Sequence, residues 1–414
     1  MLKIFDTKEE YNKYSQNNTN LDSGVLYYVK ENRNAHFLTN NIDGENKVYN
    51  LVDDIDPEGL IIVSSQTNAP LMAVLYAKGL AANENYMTLA EAQAVTNEQL
   101  NGLLNANTTV VNFNEFKYFT GVTKICTSDD AETSKTLSPF KGCTSLREIT
   151  LPKTVNELGA RAFDLTKNVN VINGLENVHK FGHCSLQATF GNSSTQNFDY
   201  IRVDKLSGGN NFNNVYKATN GYGVKKIEIS EGVEDIRVSA FFRMNKLEEI
   251  ILPNSLKTIG GPASTEGGCF AGCNNLKRLN SNVDGVINIP DSVTMIGWQA
   301  FYCDANGEGN NNIKEINIPD SVEYIGSSAF GGYYKCERIN IGKGVKSFGS
   351  KWIVYAGRDT EQLTITIKAK TPPTWTVDDN IQPNKVKIYV PSESIYAYKS
   401  ATGWSQYADR IYAK

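Results

Sequence analysis

Long apolar runs are missing from this 414-residue chain. None approaches the roughly 18 residues that a bilayer-spanning helix needs, so no transmembrane segment is expected. The opening residues from Met1 to Glu10 lack the apolar core of a signal peptide. The expectation is a chain that stays in the cytoplasm or on a particle, or one whose signal has been removed. Positive charge is not in excess, since 41 Lys and Arg face 45 Asp and Glu for a net charge of −4. Nucleic acid would require a basic stripe, and none runs along the chain. Histidine is scarce, with three residues, and the seven cysteines form no Cys-x-x-Cys pair. Such an odd, scattered set is not a disulfide framework. Also missing are a Gly-x-Ser-x-Gly elbow, a phosphate-binding glycine loop and a His-Glu-x-x-His pair. No cofactor and no metal are therefore expected. A hydrolase built on two carboxylates stays open, because its acids need no local motif.

What the chain does have is a repeat. At this length several domains or a repeat array is the prior. The pattern apolar-x-apolar, often followed by proline, fits Ile149-Thr-Leu151-Pro152, Ile250-Ile-Leu252-Pro253, Ile287-Asn-Ile289-Pro290 and Ile316-Asn-Ile318-Pro319. Copies without the proline are Ile227-Glu-Ile229, Ile339-Asn-Ile341, Val169-Asn-Val171 and Ile201-Arg-Val203. A Val or Leu follows four residues on (Val155, Leu256, Val293, Val322), then an apolar corner residue (Leu158, Ile259, Ile296, Ile325), usually before glycine. Next come Ala162-Phe163, Ala240-Phe241, Ala300-Phe301 and Ala329-Phe330, while Phe140, Phe181 and Phe270 lead to Cys143, Cys184 and Cys273. The steps from Ile229 to Leu252 and from Ile318 to Ile341 are both 23 residues, inside the leucine-rich-repeat range.

The pattern has a direct physical reading. Alternating apolar residues suit a strand buried on one face. Proline ends that strand because it cannot donate to a ladder, and the polar residues after it form turns. The Val-x-x-Ile-Gly segment returns along a second wall. A single coil encloses too little apolar surface to be stable, so neighbouring coils must stack. The cysteines then read as small buried core residues.

The string Leu-x-Glu-Ile-x-Leu-Pro-x-x-Val-x-x-Ile-Gly-x-x-Ala-Phe-x-Gly-Cys resembles the BspA-like leucine-rich repeats of Bacteroides and related bacteria. The resemblance covers more than half of the chain and extends to both flanks. The segments Tyr86 to Val95 and Phe113 to Val122 resemble the lead-in of those proteins. Thr371-Pro-Pro373, Ile388-Tyr-Val-Pro391 and Ala397 to Trp404 resemble their C-terminal cap. It implies an α+β repeat fold, a leucine-rich-repeat solenoid of β-rich coils with a small N-terminal α+β domain. About 7–9 uneven coils are expected, interrupted between Asp164 and Gly223. The resemblance also implies export, exposure at the cell surface, adhesion to a host or bacterial macromolecule, and no catalytic residues. The usual asparagine position, three residues after the strand, holds Thr154, Gly232, Ser255, Ser292, Ser321 and Gly344, so no asparagine ladder is expected.

Four regions follow: an α+β module at 1–66, a helical lead-in and cap at 67–135, repeats at 136–368 and a C-terminal cap at 369–414. In the first, Thr7 to Glu10 opens a short helix through Tyr14. Val25–Val29, Ala35–Leu38 and Lys47–Leu51 read as strands. In the lead-in, Thr88 with Glu91 and Thr96 with Gln99 are capping boxes. Tyr396, Tyr398, Trp404 and Tyr407 are expected to seal the last coil.

Few residues invite a site. His179 and His183 have helical metal-ligand spacing beside Cys184, but Cys184 falls in the Phe-x-x-Cys core slot. Solvent-facing histidines are the better reading. Asp43 to Glu45 and the group Asp53, Asp54, Asp56 and Glu58 could offer carboxylates to calcium, yet such segments are more often solvated loops. Three repeat columns mix small, polar and aromatic residues and so are read as facing outward. They hold Ala160, Trp298 and Ser327; Asp164, Phe242, Tyr302 and Gly331; and Glu157, Asp235, Thr258, Met295 and Tyr324. Trp298, Tyr302, Tyr324, Tyr333 and Tyr334 then form an exposed aromatic patch, the usual kind of binding anchor, although packing against the loop around Asn306 would also account for them. The expected protein is a monomeric, non-catalytic recognition module for a protein or glycan, with no nucleic-acid partner. Its rivals are a display stalk of a phage-like or mobile-element fibre and a glycan-acting enzyme.

Overall fold

A computed structural model describes residues 61–414 apart from 131, 187–188, 190–198, 207–210, 212–222, 238, 262–267, 304–308 and 376–384, together with the backbones of four strands nearer the N-terminus. The chain divides into two compact units, Met1–Val95 with Tyr118–Gly121, and Thr96–Lys117 with Val122–Lys414.

In the first unit a four-stranded sheet runs in the order Leu2–Phe5, Leu26–Val29, Asn34–Asn40, Asn46–Leu51. The first pair is parallel and the others antiparallel. Three of these strands are the expected ones, and Leu2–Phe5 is an addition. The helix expected from Thr7 to Tyr14 and the acidic groups Asp43–Glu45 and Asp53–Glu58 lie outside the described residues. Ile61–Ser64 pairs antiparallel with Tyr86–Thr88 around the helix Ser65–Ala77. Ser64 and Thr67 close a capping box on that helix, which breaks its regular geometry at Asn68, two residues before Pro70. The expected box of Thr88 and Glu91 opens the helix Leu89–Ala94.

The second unit begins with the other expected box, where Thr96 and Gln99 cap the helix Asn97–Leu100. It then winds into coils with three walls. Among the described residues the first wall is two parallel sheets. One joins Asn112–Phe113, Glu148–Thr150 and Val171–Asn173. The other has ten strands, from Ile201–Val203 through Lys226–Ile229, Glu249–Ile251, Arg278–Leu279, Val286–Asn288, Glu315–Ile318, Arg338–Ile341, Leu363–Ile367 and Val386–Val390 to Ile411–Ala413. The second wall holds a four-stranded sheet ending at Lys205–Leu206 and a six-stranded sheet from Asp235–Ile236 to Thr374–Trp375. The first wall changes sheet between Asn173 and Ile201, inside the stretch from Asp164 to Gly223 where the repeat pattern weakens, and the second between Leu206 and Asp235.

The register explains the apolar-x-apolar motif. Ile227, Ile250, Leu279, Ile287, Ile316, Ile339, Ile365 and Ile388 fall in one column along the ten-stranded sheet and all are buried. Each such side chain contributes about 1.5–3 kcal/mol by leaving water, and its partners in register lie on the coils above and below. On the second wall the corner glycines are required by close approach. A Cβ on Gly297 would run into the carbonyl of Gly261, and one on Gly326 into the backbone of Gly297.

The third wall carries the Ala-Phe pairs. The rings of Phe241, Phe270, Phe301 and Phe330 stack face to face with centroids 5.0, 5.4 and 5.4 Å apart. Backbone bonds such as Phe270 N to Ala300 O and Phe301 N to Ala329 O tie the coils together there. The residue before each Ala turns left-handed, with φ of 59° at Arg161, 49° at Ser239 and Gln299, and 54° at Ser328.

Turns after the third wall are held by buried polar groups. Asn310, fully buried, donates to Leu276 O at 2.9 Å and accepts from the N–H groups of Asn312 and Ile313. All seven cysteines are free and buried, in keeping with their reading as core residues. Burial pushes Cys143, Cys184 and Cys336 each up to about 12. At the C-terminal end Trp352, Trp375, Trp404, Tyr398 and Tyr407 pack together, with Trp375 and Trp404 centroids 4.8 Å apart. Trp404 Nε1 donates to Pro373 O and the Tyr398 hydroxyl to Ala369 O, both at 2.8 Å. Tyr396 is not part of this plug. It lies on the outer side of the helix Ile395–Ser400 and is 82% exposed.

Two measurements check this packing. Asn310→Ala strands two buried backbone groups, Leu276 O and Ile313 N–H, and is expected to lower unfolding free energy by about 2–3 kcal/mol in a urea titration. A loss within error of zero would contradict the role. Because thiolate is the reactive form, Ellman's reagent at about pH 8 should titrate none of the seven cysteines in the native protein and all seven in guanidinium.

Candidate functional site

The aromatic residues expected to form one patch separate into two groups. Tyr324 lies on the strand Tyr324–Ile325, its side chain opposite the buried Ile325 and in register with Met295. Trp298 follows the corner glycine of the preceding coil, its backbone N–H donating to Gly261 O at 2.9 Å. Tyr302 lies beyond it on the third wall, where a Cβ on Gly331 would touch its ring at 2.8 Å. These three side chains are half-buried on adjacent coils.

Tyr333 and Tyr334 are not exposed; they are 0% and 2% accessible. Tyr333 stands three residues after Phe330, the slot that Cys143 and Cys273 fill after Phe140 and Phe270; Phe181 instead pairs with the corner residue Leu158, so Cys184 falls level with the left-handed Arg161 and outside the expected slot. It is a core residue in a larger size. Tyr334 has the Arg358 guanidinium over its ring at 3.4 Å, and its ring atoms leave no room for a Cβ on Gly309. The outward reading of the columns also fails at Ala160, Asp164 and Gly331, all buried. Asp164 Oδ2 accepts from Arg161 Nη1 at 2.6 Å. Burial pushes its carboxyl up, and the Arg161 guanidinium reverses only part of that.

His179 and His183 flank the strand Lys180–Phe181, so the helical i, i+4 geometry that motivated a metal reading does not apply to them. Both are half-buried, and Cys184 points into the core. Among the described residues no group of three or more His, Cys, Asp or Glu is placed to hold a metal ion.

The outward face of the ten-stranded sheet carries polar order that the sequence reading missed. The middle residues of three Ile-Asn-Ile motifs form an asparagine ladder. Asn340 Nδ2 donates to Asn317 Oδ1 at 2.7 Å, Asn317 Nδ2 to Asn288 Oδ1 at 2.9 Å, and Asn288 Nδ2 to Asn280 O at 3.0 Å. Asn280 in turn mimics a strand residue, exchanging two side-chain bonds with the Leu252 backbone. The usual asparagine slot holds hydroxyls instead, as expected from the residues there. Thr154, Ser255 and Ser321 each donate to a carbonyl of the preceding coil, at 2.6, 2.8 and 2.7 Å. An asparagine ladder therefore exists, but four residues before the usual slot and facing outward. The recurring Ile-Asn-Ile was the signal that could have revealed it.

Beside the ladder runs a row of ion pairs. Glu249 bonds Arg278 at 2.6 Å and Lys226 at 3.1 Å, Arg278 also meets Asp284 at 2.7 Å, and Glu315 meets Arg338 at 2.8 Å. Burial alone would raise the Glu249 carboxyl, but the bonds from Arg278 and Lys226 outweigh it and hold the group below its ordinary value. The same face ends in two aromatic rings, Tyr389 and Tyr412, 5.7 Å apart.

The model of the BspA-type leucine-rich-repeat region matches residues 103–195 and 213–356, in six copies. Among solved structures the chain is similar to a leucine-rich repeat protein from Bacteroides ovatus ATCC 8483, with 23% identity and a TM-score of 0.37 over 63% of this chain and 66% of that one. The chain thus spans just under two thirds of that relative's length. It is also similar to the pneumococcal vaccine antigen PcpA, with 16% identity and a TM-score of 0.41 over 95% of this chain and 100% of that one. A leucine-rich cell surface protein from Faecalibacterium prausnitzii A2-165 matches with 14% identity and a TM-score of 0.26 over 70% of this chain and 82% of that one. No curated protein matches the chain.

The ion-pair row sets a pH dependence. A carboxylate held below its ordinary value stabilises the fold above about pH 4.3, and that contribution fades as pH falls through the lowered value. Glu249→Gln is therefore expected to cost about 1 kcal/mol at neutral pH, with the difference from the parent protein closing as pH falls from the ordinary carboxylate value through the lowered one. Thermal melts across that range measure it, and a cost that does not change with pH would contradict the assignment.

Proposed function

We propose, for a chain that belongs to the BspA-type leucine-rich-repeat family, that it is a non-catalytic recognition protein of the cell surface which binds a protein or glycan through the outside of its coils. The reading rests on a division of labour along each strand. Inward positions are occupied by Ile, Val, Leu, Phe and Cys that close the core, while outward positions are free to carry a ligand without disturbing it. The observation that carries the proposal is the placement of Trp298, Tyr302 and Tyr324 half-buried on two adjacent coils. Aromatic side chains fixed by packing at one edge and open at the other lose little entropy on binding and commonly anchor interfaces.

Purified protein screened against immobilised host matrix proteins and a glycan array tests this. Binding tighter than about millimolar, weakened at least about tenfold by Trp298→Ala with Tyr324→Ala, is the expected result. No binding at that level, or binding indifferent to both substitutions with unchanged thermal melts, would count against the patch.

A further inference from the structure

The outward strip of the ten-stranded sheet is a second recognition surface, and its chemistry names a ligand class. We infer that Asn288, Asn317, Asn340, Tyr389 and Tyr412 form a linear binding site for an uncharged, extended polysaccharide chain. The inference rests on the recognition reading above but uses a different face from the aromatic patch.

The strip runs in register, with Thr366 buried between its asparagine and tyrosine ends. Strand register places Asn288 against Asn317, Asn317 against Asn340, Asn340 against Thr366, Thr366 against Tyr389, and Tyr389 against Tyr412. One residue per coil thus stands in line across six coils. A primary amide can make four hydrogen bonds, two as donor and two as acceptor. The ladder uses one N–H and one lone pair of Asn317, and likewise of Asn288. Each retains one donor and one acceptor, the pair needed to bond a sugar hydroxyl in both senses. The side chains are held in place by the ladder itself, so little rotamer entropy remains to be lost on binding.

Charge selects against ionic partners. Lys226, Glu249, Arg278 and Asp284 neutralise one another beside the strip, as do Glu315 and Arg338, and Lys314 and Glu337. A polyanion or a basic peptide would have to break these pairs. A neutral ligand rich in hydroxyls need not. At the far end Tyr389 and the 41%-exposed Tyr412 offer two neighbouring rings, whose faces suit the C–H face of a pyranose. The spacing fits as well. Parallel strands lie about 4.8 Å apart, close to the length of one sugar unit in an extended β-linked chain. A glycan lying across the strands meets one coil per sugar.

Calorimetry with the full chain tests this, using neutral hexaoses of β-1,4-glucan, β-1,4-mannan, β-1,4-xylan and β-1,3-glucan, with a hyaluronan hexamer as the charged control. At least one neutral hexaose should bind, more tightly than its trimer and with an affinity indifferent to added salt. Tyr412→Ala and Tyr389→Ala should each weaken it about tenfold. Tyr412 is exposed, so its loss should not move the thermal melt. No binding by any neutral hexaose, a preference for hyaluronan, or full retention in both tyrosine variants overturns the inference. Protein binding lost on changing Trp298 and Tyr324, with no glycan binding, overturns the strip and leaves the recognition reading standing. Absence of all binding overturns both.

Discussion

No coil of this chain can exist alone, and the rest of the structure follows from that. A turn of about two dozen residues encloses a single layer of side chains, so nearly every apolar atom in the layer is covered by the coil before or after it. Ile287 is buried because Leu279 and Ile316 lie on either side of it in register. Phe301 is buried because Phe270 and Phe330 stack on its two faces. The backbone obeys the same rule, since strands a few residues long bond to neighbouring coils rather than within their own. The last coil has no such neighbour beyond it, and the tryptophan-rich plug with its tied indole and phenol groups fills the core there.

This dependence explains why the inward half of the fold was legible. A column that must pack on itself repeats the same residue types at the same offset, and periodicity is the strongest local signal a sequence carries. The strand, corner and Ala-Phe positions, the two expected capping boxes and the weak stretch after Asp164 could be read in that way, except that the copy expected at Val169-Asn-Val171 lies three residues further on, with Ile172 in the buried column of Ile149. The sheet strand Leu2–Phe5 could not, because its partner Leu26–Val29 lies far along the chain. Nor could the left-handed residue before each Ala-Phe, occupied by Arg161, Ser239, Gln299 and Ser328. Glycine usually advertises that conformation, and here ordinary side chains adopt it under the constraint of the coil.

The outward half was read less well, for a related reason. A column that mixes aromatic with small or polar residues reads as exposed. Asp164 shows why that fails, since a carboxylate can be buried when an arginine of the same turn meets it. Tyr333 shows a different failure. Its column was legible, three residues after Phe330, but residue type was allowed to outweigh position. In a stacked coil position decides burial, and residue size decides only how the neighbours adjust.

The same logic gives the asparagine ladder its significance. Turn-forming and core positions are dictated by the coil, so their repetition carries no information beyond the fold. The middle residue of the strand motif is different. Other coils place Glu228, Ile251 and Thr366 in that column, and the strand forms equally well around each. Stability therefore does not require asparagine at 288, 317 and 340. Three adjacent coils that choose the same amide and bond it in line, with a spare donor and acceptor at Asn288 and Asn317, are repeating something the backbone does not need. Inward repetition is the cost of folding as a stack; outward repetition, in a column where the fold tolerates a carboxylate, an isoleucine or a threonine, points to a ligand with a repeat of its own.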